Sequence, residues 1–420
     1  MFNKKSPLFL IILVIILSFS LNACGFNNNK YTKNGNEFFF AVDNVGKTPQ
    51  DIFLQAWKSI KDQYLDKTYN HQDWSRWKNR YLNQIKTKED AYLAIDTMIE
   101  SLNDPYTRFL TPYDFAEQNR NIDAELYGIG VHIVKAKDNV TIIQVMDDTP
   151  AKKAGLKPGD IIFKINNTST KGLDIKEVAD KVRGKVGSKV TLVILRDKKE
   201  IIKEIIREKI EIKSIDYKIQ NNNYAYIKIS SFMSSETAFE MLNALEATKN
   251  AKGIIIDLRG NQGGLLPNAV FIANMFVNKG IIVSIVDRNG IKKSIKAEPD
   301  VLITNKPIVI LVNQASASAS EILSGALKDH NRATLVGETT FGKGFVQKVH
   351  KLSDGSGINI TIAKYLTPSG KDIDKKGIKP DYTVELTEKD FTQDKDPQLD
   401  KAKQILATKI IAIEKLKAAK

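Results

Sequence analysis

The pattern of apolar and polar positions changes character five times along the chain. Residues 8–21 (LFLIILVIILSFSL) are almost purely apolar. Residues 24–47 are mostly polar, and Asn27-Asn28-Asn29 and Asn34-Gly35-Asn36 mark a tether rather than a folded element. At Thr48 the period becomes helical. Thr48-Pro49 reads as an N-cap followed by proline at the first helical position, and Ile52, Phe53, Ala56, Ile60 and Tyr64 recur on one face. A second helix starting near Thr87 repeats Ala91, Ile95, Met98, Ile99 and Leu102, so 48–112 is expected to be a small helical region. From 115 to 207 the pattern turns to short β runs (HIV, VTIIQV, VTLVILR) with one helix at about 174–182. Residues 208–388 alternate apolar strands with helical stretches, and the runs at 253–258 and 308–312 have the unbroken apolar character of strands buried on both faces. Within 389–420, residues 396–416 form a charged, periodic tail helix, and no internal repeat is visible. The predicted fold class is multidomain, α/β and α+β.

Composition narrows the classes. The 420 residues are 42% hydrophobic and 27% charged, which excludes a wholly disordered chain and a polytopic membrane protein. The one cysteine, Cys24, rules out an intrachain disulfide. His71, His132, His330 and His350 lack metal-ligand spacing, so no metal site built from Cys or His is expected. The net charge of +14 reads as a lysine-rich solvated surface. No basic stretch is interleaved with aromatics, so nucleic acid is not an expected partner; an anionic membrane surface suits the charge better.

The N-terminus supports that membrane reading. A basic MFNKKSP precedes the apolar run, which is too short to span a bilayer comfortably. Leu21-Asn22-Ala23-Cys24 then resembles the bacterial lipobox. Residues 1–23 are expected to be a lipoprotein signal peptide and Cys24 the lipidated N-terminus of the mature chain. A plain signal peptide with an incidental cysteine is the weaker alternative, because the chain's only Cys falls in this register. The expected location is the cell envelope, in the periplasm or on an extracytoplasmic face, with acyl chains at Cys24 holding the protein on the membrane.

Residues 115–207 carry Tyr127-Gly128-Ile129-Gly130-Val131, Asp148-Thr149-Pro150-Ala151, Ala154-Gly155-Leu156 and Pro158-Gly159-Asp160-Ile161-Ile162 in order, with Arg183-Gly184 after the helix. This order resembles a PDZ domain over its whole length. The resemblance implies that the Tyr127, Gly128, Ile129, Gly130, Val131 loop presents backbone N–H groups to a substrate's terminal carboxylate while a neighbouring strand pairs with the peptide. Arg183 is read in two ways: as a solvated arginine capping the helix, or as a position that couples the domain to the active site.

Candidate chemistry lies farther on. After the strand at 308–312 comes Asn313-Gln314-Ala315-Ser316-Ala317-Ser318-Ala319-Ser320-Glu321, opening a helix. Small residues there let a hydroxyl stand at a helix N-terminus, whose N–H groups can hold an oxyanion. Alone, this pattern is better read as a flexible small-residue loop or a helix cap. Thr340-Phe341-Gly342-Lys343-Gly344-Phe345-Val346-Gln347 follows it, and Asp257-Leu258-Arg259-Gly260-Asn261-Gln262-Gly263-Gly264 precedes it. Together with Leu102-Asn103-Asp104-Pro105-Tyr106-Thr107-Arg108, Tyr365-Leu366-Thr367-Pro368-Ser369-Gly370 and Gly377-Ile378-Lys379-Pro380-Asp381, these segments resemble the carboxyl-terminal processing, or tail-specific, serine proteases over residues 48–388. Gln262 stands where that family often has proline.

The resemblance implies a crotonase-like α/β protease core over 208–388, with Ser318 as nucleophile. Lys343, 25 positions later, is then the general base and Gln347 the residue that orients it. A lysine serves as base where burial keeps it neutral, and an uncharged glutamine orients it without raising its pKa. The N–H groups of Ala319 and of Gly263 or Gly264 are expected to form the oxyanion hole, and Asp257 to tie the loop that shapes Gly263. No cofactor is implied. The expected partners are protein substrates with free C-termini and a membrane; an adaptor or self-association stays open. A catalytically dead PDZ scaffold and an acyl-group hydrolase are the rival readings. Intact Ser318, Lys343 and Gln347 weigh against the first, and a peptide groove against the second.

Overall fold

The computed structural model describes residues 48–418 apart from 123–124, 137–138, 212, 221–223, 388–389, 391–392 and 394. The signal peptide, Cys24 and the tether lie outside the described residues. No helix among the described residues is long and apolar enough to cross a membrane. The chain forms two compact units, one from residues up to 118 together with 214 onward, the other from 119–213.

The first unit begins with α1 (Pro49–Gln63), α2 (Ser75–Tyr81) and α3 (Lys88–Glu100). Thr48 and Thr87 each close a capping box with the aspartate three residues on, so both helices start where their N-cap side chains satisfy open N–H groups. Strand β1 (Arg108–Leu110) and helix α4 (Pro112–Ile122) follow. The turn to β structure expected at 115 therefore comes later. Thr111 Oγ1 accepts from the Asp114 N–H and Pro112 stands at the first helical position, a start signal that overrides the β reading.

The second unit is the PDZ-like segment. It contains β2 (Glu125–Gly128), β3 (Val131–Ala136), β4 (Asn139–Val145), α5 (Pro150–Lys153), β5 (Ile161–Ile165), β6 (Thr168–Ser169), α6 (Ile175–Val182), β7 (Lys189–Arg196), β8 (Lys199–Ile206) and β9 (Glu208–Glu211). Its main sheet runs β3-β4-β5-β7-β8, with β6 on β5. β9 pairs antiparallel with β2, which draws residues 208–211 into this unit, whereas the core was expected to begin at 208. Inside, Asp160 is almost fully buried and receives Arg196 Nε at 2.7 Å and Nη2 at 2.8 Å. Burial raises its pKa, but the guanidinium and the Lys157 N–H outweigh that and hold the carboxyl below the usual range.

The first unit resumes with β10 (Ile215–Ile219), β11 (Tyr224–Ile229), α7 (Thr237–Ala247), β12 (Gly253–Asp257), α8 (Leu266–Asn274), β13 (Ile281–Asp287), β14 (Lys292–Lys296), β15 (Ile308–Val312), α9 (Ala319–Asp329), β16 (Ala333–Gly337), β17 (Phe345–Lys351), β18 (Gly357–Leu366), β19 (Tyr382–Thr383) and α10 (Pro397–Ala418). Six strands form a sheet in the order β10-β11-β12-β15-β16-β19, parallel except for β10. Period-two alternation fills both faces. Ile254, Ile256, Ile308, Ile310 and Val312 pack with α7, α8 and α9, while Ile255, Val309, Leu311 and Val336 pack against Ala402 and Leu406 of α10. A second sheet runs β1-β18-β13-β14, with β17 on β18. The N-terminal helices bury their apolar faces on Leu352, Ile358 and Ile360 of that region, so they share a core with it.

Candidate active site

Buried β15 ends at Val312, and the chain turns through Asn313 into α9. Asn313 Oδ1 accepts from the N–H groups of Gly260 and Ala315, which ties this turn to the one after β12. Ser316 and Ser320 are both fully buried, and their hydroxyls donate to the carbonyls of Leu258 and Asn261 at 2.9 Å each. Those two serines are structural. Ser318, between them, is half-exposed at φ 54° and ψ −113°. A non-glycine residue in that region carries strain of about 1–3 kcal/mol, which surrounding contacts must hold in place.

The neighbouring glycine turn makes those contacts. The Asn261 carbonyl also accepts from the Ala317 N–H, and its Nδ2 donates to the Ile229 carbonyl at 2.8 Å. A Cβ on Gly263 would stand 2.6 Å from the Ala317 oxygen and 2.9 Å from both Ser318 Cβ and the Ala319 nitrogen, so only glycine lets the two backbones meet. The Gly263 N–H donates to Asn261 Oδ1 at 2.9 Å. Among the described residues the N–H groups of Gly264 and Ala319 have no intramolecular acceptor. Behind this turn, Asp257 receives Tyr226 Oη at 2.6 Å and Arg259 Nη2 at 2.7 Å. Arg259 Nη2 also donates to Asp396 at 2.8 Å. Asp257 thus ties the end of β12 to Tyr226 and Arg259 at the base of the loop.

Glu321, fully buried in the first turn of α9, is a centre that the sequence reading missed. Its Oε2 accepts from the N–H groups of Ser318 at 2.8 Å and Lys343 at 2.9 Å. Its Oε1 accepts from Thr340 Oγ1 at 2.6 Å and the Gly342 N–H at 2.7 Å. One carboxylate therefore spans the serine turn and the lysine loop. The Ser-x-x-Glu spacing of 318 and 321, a helix-start signature, was the available signal.

Lys343 is half-buried, with its Nζ 4.8 Å from the centroid of the Tyr106 ring. Among the described residues its Nζ makes no hydrogen bond or ion pair. Burial, helped by the Arg108 charge and opposed by Asp104 and Glu321, pulls its pKa below the ordinary lysine value. Gln347 lies at a register shift in β17, and its buried Nε2 has no hydrogen-bond partner among the described residues. Ser318, Lys343 and the Gly263 turn are thus gathered at one place. Among the described residues, no hydrogen bond joins Lys343 to Ser318 or to Gln347.

In the second unit, Gly130 has φ 83°, and a Cβ there would lie 2.4 Å from Thr149. The Ile129 carbonyl accepts from the Ala151 N–H and the Gly130 carbonyl from the Met146 N–H, which sets the shape of the loop from Tyr127 to Val131. β3, which begins at Val131, is an edge strand beside α6, the arrangement that accepts an added peptide strand. Arg183 caps α6, with Nη1 3.8 Å from Asp180 and its stem beside Gly128.

Comparison with known proteins matches segments of both units to described families. The description "Peptidase family S41" matches residues 223–384, and "PDZ domain" matches residues 141–196. The chain is 38% identical over 360 residues to a carboxyl-terminal-processing protease of Synechocystis, covering 81% of this chain and 84% of that one. It is 36% identical to the chloroplastic carboxyl-terminal-processing peptidase 2 of Arabidopsis thaliana, covering 79% of this chain and 68% of the relative. Among solved structures, a photosystem II D1 C-terminal processing protease shares 33% identity, with a TM-score of 0.54 over 81% of this chain and 94% of that one. With a PDZ domain and a mixed α/β core, the chain belongs to the carboxyl-terminal-processing serine proteases of peptidase family S41.

Proposed function

We propose that the chain is a membrane-anchored endopeptidase that recognises protein C-termini through its PDZ domain and cuts by a Ser318–Lys343 acyl-enzyme mechanism. The observation that carries this reading is the joint hold of Glu321 on the Ser318 and Lys343 N–H groups, beside the close approach of Gly263. Neutral Lys343 takes the proton as Ser318 Oγ attacks the scissile carbonyl, and the lysine ammonium then gives that proton to the leaving amine. A water activated by the same lysine hydrolyses the acyl-enzyme.

The Ala319 N–H holds the oxyanion together with that of Gly264. The Gly263 donor, already engaged by Asn261, serves by shaping the turn. Gln347 orients the lysine amine through its side-chain oxygen. A peptide-cleavage assay on Gln347→Ala should show a smaller loss than on Lys343→Ala, because orientation is lost but proton transfer is not. Equal losses would give Gln347 a larger part than this.

Substrate tails add to β3, with the terminal carboxylate on the N–H groups of the loop from Tyr127 to Val131. Charge-assisted bonds of this kind are worth about 1.5–3 kcal/mol. Amidating the tail of an apolar peptide is therefore expected to weaken productive binding by about one to two orders of magnitude. Equal cleavage of the free-acid and amidated peptides would remove tail recognition from the mechanism. If Arg183 couples tail binding to cleavage, Arg183→Ala changes the cleavage rate more than tail affinity.

Anchoring rests on the basic–apolar–lipobox order ending at Cys24. Cys24→Ala is expected to leave the membrane fraction or to persist as an uncleaved precursor. Membrane retention with normal processing would count decisively against a lipid at that residue.

A further inference from the structure

The segment from Leu102 to Arg108 lies beside the lysine loop. It is built to present one ring. Pro105 follows Asp104, whose Oδ1 accepts from the Tyr106 N–H at 2.9 Å and whose Oδ2 accepts from Thr107 Oγ1 at 2.7 Å. Buried Thr107 in turn accepts from the Thr361 N–H of β18 at 3.0 Å, and β1 continues as a strand on β18. β17 pairs along the same strand, so Tyr106 stands against Phe345, with centroids 6.0 Å apart and planes at 52°. The outcome is a ring face 4.8 Å from Lys343 Nζ, in a site where that amine has no hydrogen-bonding partner among the described residues.

We infer that Tyr106 is a positioning residue for Lys343: its ring cradles the protonated amine between turnovers and so sets the pH at which the base becomes available. The inference rests on Lys343 being the general base. An aromatic face attracts the ammonium and not the neutral amine. It therefore opposes the pull of burial, and loss of the proton frees the amine to move to Ser318 Oγ. The charged groups facing this pair are Asp104 and Arg108 on the same segment, Glu321 on α9 and Asp374, which acts on Tyr106. Burial, then Asp374, Asp104 and Glu321, push the Tyr106 phenol upward, which favours its neutral form. Tyr106 Oη has no part in this cradle, so phenylalanine should replace tyrosine without loss.

The test is the pH dependence of kcat/KM of the full chain in detergent. The probe is a fluorogenic peptide with an apolar, free C-terminus, whose cleavage rises with pH as the free enzyme's base loses its proton. Tyr106→Leu keeps the site apolar but removes the ring, so the rising limb should move down by about 0.5–1 pH unit. Tyr106→Phe should leave the limb in place. Tyr106→Trp, with the strongest ring, should move it up, and it carries the test if the leucine variant does not fold. A limb that stays put in both the leucine and tryptophan variants, or that moves in Phe as far as in Leu, overturns the inference. Lys343→Ala separates this from the underlying mechanism. If that variant still cleaves the peptide, the lysine is not the base; if it is inactive while the Tyr106 variants leave the limb unmoved, only the role of Tyr106 fails.

Discussion

Ser318→Ala and Lys343→Ala are each expected to lower kcat/KM for peptide cleavage by about 10⁴-fold or more, with the double variant no worse than either single one. Groups that act as a unit lose activity non-additively, because each removal disables the same step. Folding should barely notice the serine change, since alanine meets the same backbone strain at φ 54° and the hydroxyl has no core role. The lysine change has a predictable sign. Its pKa is lowered in the folded state, so the unfolded chain holds that proton more tightly. Burying Lys343 therefore costs stability at pH values below its folded pKa, and the cost fades as pH rises through the unfolded value. Lys343→Met should be neutral or slightly stabilising at pH 7 while remaining inactive. Wild-type cleavage by Ser318→Ala, with Ser316 or Ser320 required instead, would move the nucleophile. The buried hydroxyl bonds of those two serines make that outcome unexpected.

Glu321 carries the second large effect. Glu321→Ala leaves the N–H groups of Ser318, Gly342 and Lys343 and the Thr340 hydroxyl without their acceptor in a fully buried place. Each unmet buried donor costs about 1–3 kcal/mol, so a loss of about 3 kcal/mol or more is expected even where water enters. Against a total stability of about 5–15 kcal/mol, that should appear as a clear fall in the denaturation midpoint. Glu321→Gln is the finer probe. One amide oxygen can still serve one pair of donors, but the NH₂ group then faces N–H groups. Cleavage should fall by about 10²-fold with a smaller loss of stability, because the serine turn and lysine loop lose their shared hold. Thermal denaturation and cleavage measured on both variants check this. A Glu321→Ala protein with the wild-type midpoint and rate would show that the two loops hold their geometry without the carboxylate.

The parts of this protein that were legible without coordinates are those governed by local chemistry. Capping at Thr48 and Thr87, the unbroken apolar run of β15, the period of α10 and the spacing of the glycine turns all depend on neighbours within a few residues. Ser318 and Lys343 stood out as candidates only through the resemblance that their flanking segments, taken together, bear to a family. Asp257 reads as structural because a carboxylate at the end of a buried strand needs a partner, and Arg259 stands two residues on.

Only the tertiary structure decided the rest, because it depended on residues distant in sequence meeting in space. Helix α4 displaced the expected β start at 115, and β9 pairs with β2 across most of the second unit. Glu321 reads as an ordinary helix-start residue until loop 340–343 folds over it and turns it into the junction of two site loops. Tyr106 lies 237 positions before Lys343, and only the shared pairing of β1 and β17 on β18 sets its ring under the amine. Residue order along the chain was enough to nominate the candidate groups, through motifs whose members lie within a few residues of one another. How those groups are held was decided by long-range strand pairing and buried hydrogen bonds, whose partners no local pattern reveals.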